Sequence, residues 1–252
     1  MLSHRKFCEL AFVLLLAFTV SSYGQADKQI NKSYFGFFLS GGIGFHDTET
    51  KALFGPPSCC NENLGESGLY IGYGAEYIYN FSSKMSFTFS TGFEKYKVDF
   101  MSPEKMILNI DGEPIEGLFN HNTAFDINFL AVQMGLMYEF YHDFLVSVQL
   151  GSIFHLSNSI TQYEELKEPD DRGVFPDSGT RVRNRRSGEI INISTFIPTG
   201  ELAIHKRLPL SMNSTSFLQI SGSVNYVPFE IVENTEWTIL TFKLKASFYF
   251  PI

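Results

Sequence analysis

From residue 34 onward the chain alternates. In the stretch 68–81, GLYIGYGAEYIYNF, Leu69, Ile71, Tyr73, Ala75, Tyr77, Tyr79 and Phe81 fall in one phase, and Tyr70, Gly72, Gly74, Glu76, Ile78 and Asn80 in the other. A period of two marks a β-strand, because successive side chains point to opposite faces. The same period runs through Tyr34–Phe45, Lys84–Val98, Ala124–Phe140, Phe144–Leu156, Ile193–His205, Thr215–Val227 and Trp237–Phe250, which with 68–81 makes eight segments. After the first two dozen residues no helical period competes with it.

Alternation alone does not say which face is inside. Three features decide for the bulky set facing out. The segments run to about 12–17 residues, where an ordinary strand has a mode of about 5–6. Twelve residues reach about 40 Å, enough to cross the hydrocarbon of a bilayer at a tilt near 45°. The intervening positions are mostly Gly, Ser and Thr with isolated Glu, Gln and Lys, which suits the narrow interior of an eight-stranded barrel better than a water-facing surface. In lipid, unpaired backbone groups cost several kcal/mol each, so a spanning sheet must close. The expectation is an all-β, eight-stranded antiparallel transmembrane β-barrel of up-and-down topology. Ser82-Ser83 and Tyr141-His142-Asp143 make short turns, whereas 46–67, 99–123 and 157–192 read as long polar loops. Short turns on the periplasmic side and long loops outside are the pattern of outer-membrane barrels. Tyr77, Tyr79, Phe81, Tyr138, Phe140, Phe248 and Phe250 are candidates for its aromatic girdles.

The N-terminus fits export. His4, Arg5 and Lys6 precede an apolar run from Leu10 to Val20, and Ser22-Tyr23-Gly24 supplies small residues before Gln25. That is the layout of a signal peptide, 1–24, cleaved after Gly24. Residues 25–33 then read as a short periplasmic segment and 34–252 as the barrel. The net charge of −8 argues against nucleic acid as a partner. Cys59-Cys60 is an adjacent pair with no His or Asp cluster to complete a metal site, so neither a metal nor a cofactor is expected.

The SSYGQ cleavage region, FLAVQMGLMYEFY running into a tight turn, and the C-terminal LKASFYF resemble the small outer-membrane β-barrel proteins of Bacteroidetes, the broad family that includes PorT-like proteins. The resemblance covers nearly all of the mature chain. It implies a place in the bacterial outer membrane, contact with its lipids and lipopolysaccharide, insertion by the barrel-assembly machinery, and an envelope protein as a further partner. The family is functionally mixed, so it supplies a fold and not an activity. A structural or binding role through the outward loops, or a secretion accessory, is the first reading. A narrow pore is an alternative.

Three sets of side chains carry candidate chemistry. Glu76, Glu94, Glu139, Glu201, Lys243 and Lys245 share the interior phase, as a salt-bridged network filling the barrel or as a selectivity ring. FHLSNS at 154–159 resembles the His-x-Ser-Asn element of lipid A deacylases, which implies His155 as base, Ser157 as nucleophile and Glu164 or Glu165 as orienting acid. Here the element falls far from the C-terminus and His155 is in the interior phase. Arg181, Arg183, Arg185 and Arg186 could hold phosphates through paired donors, or pair with the acidic EELKEPDD at 164–171.

Overall fold

The computed structural model describes residues 33–49, 63–110, 112–169, 173–175, 179–210, 215–228, 231–233, 235 and 237–252. Residues 1–24, expected to be a signal peptide, residues 25–32 and Cys59-Cys60 lie outside the described residues. Nine strands follow in order: β1 Ser33–Glu49, β2 Asn63–Asn80, β3 Met85–Ile110, β4 Glu113–Tyr141, β5 Phe144–Glu168, β6 Val182–Gly188, β7 Phe196–Pro209, β8 Phe217–Val227 and β9 Trp237–Pro251. All pairings between them are antiparallel, in the order β4-β3-β2-β1-β9-β8-β7-β5-β6, with an additional pairing of β4 to β5.

This corrects the expected eight-stranded, up-and-down barrel. The described residues form nine strands, and the sheet as a whole does not close into a barrel but keeps an edge. Among the described residues, β6 pairs only with β5, and the outer part of β3, beyond Val98, pairs only with β4. β5 pairs with β4, β6 and β7, and the remaining seven strands each have two hydrogen-bonded neighbours.

Two of the supposed polar loops cause the difference. Residues 99–123 continue the β3–β4 ladder out to Ile110↔Glu113, and Gly112 turns the chain at φ 88°. Glycine suits this position because it reaches positive φ without steric cost. In 157–192, β5 runs on to Glu168 and β6 folds back on it. A four-stranded ribbon, β3–β4–β5–β6, therefore extends beyond the rest of the sheet.

The alternation is resolved as the bulky phase facing outward. Leu69, Ile71 and Tyr73 are 52%, 44% and 55% exposed, while Tyr70, Glu76 and Ile78 are at 1% or less. On β1 the outward apolar run from Phe35 to Phe45 extends ~33 Å along the strand, or ~23 Å of height at a tilt near 45°. Asp47 ends it. On β3 and β4 it ends at Lys95, Lys97 and Asp126, with Lys95 Nζ 2.8 Å from Asp126 Oδ2.

The enclosed face is layered. Near the short turns Ile78, Met137, Leu145, Phe217 and Tyr249 pack together. Toward the ribbon Tyr70, Tyr96, Phe100, Phe125, Phe129 and Trp237 belong to a larger apolar cluster. So this end of the interior is aromatic, where glycines and hydroxyls were expected. Residues 189–195 and 231–233 join over it, with Ile193 bridging Val232 and the Ser194 N–H donating to the Ile231 carbonyl at 2.8 Å. Small residues serve the interior differently: a Cβ on Gly74 or Gly92 would lie within 2.9 Å of the Phe38 ring, which sits over both.

Candidate functional site

Between the two apolar layers lies a charged one. β9 places Lys243 and Lys245 two residues apart on the enclosed face. Lys243 Nζ donates to Glu94 Oε1 of β3 at 3.0 Å and to Glu201 Oε2 of β7 at 3.3 Å. Lys245 Nζ donates to Glu76 Oε2 of β2 at 3.0 Å. β3, β7 and β9 are not mutual neighbours, so the sheet curls far enough to bring them together.

Phenols complete the layer. Tyr70 donates to Glu94 Oε1 at 2.9 Å, Tyr96 to Glu94 Oε2 at 3.2 Å, and Tyr249 to Glu76 Oε2 at 2.8 Å. Lys243 Nζ also lies 4.6 Å from the centre of the Tyr70 ring. Charges this buried persist only when paired and hydrogen-bonded. A cavity of about 20 Å³ remains among Lys243, Glu94, Glu201, Tyr70 and Gln133, room for about one water molecule.

Five of the six charges read from the interior phase meet in this layer; Glu139 does not. It stands at the β4–β5 turn, where its Oε1 accepts from the Asp143 N–H at 3.3 Å. The alternation does not announce the phenols, because aromatic bulk suggests the lipid side, although Tyr70 and Tyr249 share the phase of the acids they serve. Arg207 also escapes the sequence reading. It holds Gln219 Oε1 at 3.5 Å and lies over the Phe217 ring at 5.0 Å. Nearby, Ser147 Oγ is 2.8 Å from His205 Nε2, and Gln219 Nε2 is 3.0 Å from His205 Nδ1.

The deacylase-like residues are held apart by a bulge. Leu156 is the extra residue where Phe129↔His155 gives way to Asn128↔Ser157. His155 Nε2 is 3.0 Å from Asn158 Nδ2, with its ring against Phe129. Ser157 is exposed on the opposite face and accepts from Asn128 Nδ2 at 3.1 Å. Glu164 pairs with Arg183 at 2.6 Å and Glu165 with Lys167 at 2.8 Å. Asn158 has the clearest structural role. Its Oδ1 accepts from the Ile190 N–H, which pins the segment closing the interior.

The arginines also divide. Arg181 spends its guanidinium on the carbonyls of Leu166, Lys167 and Pro169. Arg183 is bound to Glu164 and stacks on Phe175 at 4.3 Å. Arg185 and Arg186 are exposed on the edge strand β6. Burial raises the Glu164 carboxyl, but hydrogen bonds from Asn184 and Arg183 outweigh it and hold the group below its ordinary range.

No family model matches the chain, and no curated protein matches it. Solved structures similar to it include Ail, the attachment invasion locus protein of Yersinia pestis, in complex with the heparin analogue sucrose octasulfate (10% identity, 86% of this chain and 99% of that one, TM-score 0.31). Others are the outer membrane protease OmpT of Escherichia coli (9% identity, 91% and 99%, TM-score 0.32) and Neisserial surface protein A (10% identity, 85% and 96%, TM-score 0.32).

Proposed function

We propose that this chain is an integral outer-membrane protein that recognises a partner through its projecting β3–β6 ribbon and conducts no solute. One observation carries the membrane placement: the outward apolar belt. Leu244 is 72% exposed, Leu39 63%, Ile204 59% and Phe37 58%, while Lys243 and Glu201 on the other face are 5% exposed. A water-soluble protein arranges these the other way round and rarely exposes a contiguous apolar surface beyond a few hundred Å². The belt height matches the apolar band of about 25 Å found in outer-membrane proteins. The open edges of β6 and outer β3 fall beyond it, where water can satisfy their backbone groups.

The filled interior favours a binding role over a pore, and the separation of His155 from Ser157 favours it over lipid hydrolysis. A PorT-like secretion accessory is the more specific form of this reading, supported by the three short sequence motifs above.

The test is extraction of the full-length protein from native envelopes with alkaline carbonate. Retention in the membrane pellet is expected. Release into the supernatant, as for a soluble lipocalin-like fold, would overturn the placement.

A further inference from the structure

The outward face carries an unusual group where the apolar belt ends on β3 and β4. Lys95 and Lys97 are two residues apart on β3, so they stand side by side at ~7 Å. Both lean on one carboxylate: Asp126 Oδ2 of β4 is 2.8 Å from Lys95 Nζ and 3.6 Å from Lys97 Nζ. Their side chains stay 39% and 56% exposed. Two ammonium groups share this one carboxylate, and the next residue outward on the same face, Asp99, is exposed ~7 Å beyond Lys97. Immediately below on the same face, Tyr73 and Phe93 form a tilted pair with centroids 5.5 Å apart, 55% and 48% exposed.

Each part matches a part of a phosphorylated amphiphile. Aromatic rings at the belt's margin suit the junction of acyl chain and headgroup. Lysines just above them lie at the height of headgroup phosphates, and a phosphate binds ammonium donors through charge-assisted hydrogen bonds. We propose that Lys95 and Lys97 form a binding site for the phosphate of a membrane lipid, with Tyr73 and Phe93 supporting the start of its chains. Asp126 holds the two ammonium groups in position when the site is empty and competes with the phosphate when it fills. The proposal rests on the lipid-facing reading of the belt and assigns that belt a specific ligand position.

Native mass spectrometry of the full-length protein in detergent tests it, with titration of bis-phosphorylated lipid A, dephosphorylated lipid A and phosphatidylglycerol. Wild-type protein is expected to retain the phosphorylated lipids and to lose dephosphorylated lipid A. The Lys95→Gln/Lys97→Gln variant is expected to bind at least about tenfold more weakly, the scale of losing one charge-assisted hydrogen bond. Lys95→Arg/Lys97→Arg is expected to keep binding, and Asp126→Asn to tighten it. Lysine-dependent binding of lipid A alone identifies a lipopolysaccharide phosphate; equal binding of phosphatidylglycerol identifies a phospholipid phosphate. Unchanged affinity in the glutamine variant, or equal retention of dephosphorylated lipid A, would overturn the site. Carbonate extraction of the same variants separates the two readings: a protein that stays in the membrane but binds lipid without its lysines refutes this site alone.

Discussion

Replacing Lys243 by methionine removes the cation that faces both Glu94 and Glu201 and leaves the shape of the side chain nearly intact. The three side chains are 4%, 8% and 4% exposed, so water cannot take over the lost contacts. Breaking a buried ion pair from one side costs about 3–5 kcal/mol, whereas removing all of its charges together is often close to neutral. The single variant should therefore unfold ~150- to 5,000-fold more readily, and Lys243→Met combined with Glu94→Gln and Glu201→Gln should recover most of that loss. Trp237 is the sole tryptophan. It is buried in the aromatic layer and donates to His46 Nδ1 at 3.3 Å, so its fluorescence during urea unfolding in micelles reports the transition. A Lys243→Met protein within about 1 kcal/mol of wild type, or a triple variant as weak as the single one, would refute the paired-charge reasoning.

Three further outcomes follow from the structure. Glu164 has a depressed folded-state carboxyl, so its contribution is present above the ordinary glutamate value and is lost as pH falls through the folded value; amide exchange in the ribbon should accelerate on acidification, and Glu164→Gln should flatten that response. Gly92→Ala would place a methyl 2.6 Å from the Tyr73 carbonyl and 2.8 Å from Phe38, so it should destabilise by ~1–3 kcal/mol in the same urea assay, and a neutral result would contradict the close packing. In planar bilayers the purified protein should give no unitary current steps, because the cavity within the charged layer holds about one water molecule; reproducible steps would show that the interior opens.

Much of this architecture is legible in the sequence, and the failures have physical causes. β1, β2 and β9 each present one bulky outward phase over most of their length, so their orientation can be read from Leu39, Ile71 and Leu244. Glu76, Glu94, Glu201, Lys243 and Lys245 can be placed because a period of two fixes the face of every residue once one is known. The ribbon is hidden because both its faces meet water along much of its length. Its outer β3 residues, such as Met106 and Ile107, are exposed on either side of the strand, and VRNRRSG in β6 contains a single apolar residue. The Leu156 bulge inverts the phase of β5, so Ile160 rather than Ser159 is buried. No alternation pattern announces that shift in advance. The aromatic interior layer is hidden for a different reason: Phe125, Ile127 and Phe129 are in the inward phase, but their bulk suggests lipid.

The central claim is that the apolar face of the sheet meets hydrocarbon. It is tested most directly by nitroxide labels placed one at a time at Leu39, Ile204 and Leu244 in a cysteine-free chain reconstituted into liposomes. At all three positions, collisions with oxygen should dominate those with a water-soluble nickel chelate. Preferential collision with the chelate would place these side chains in water and contradict the account.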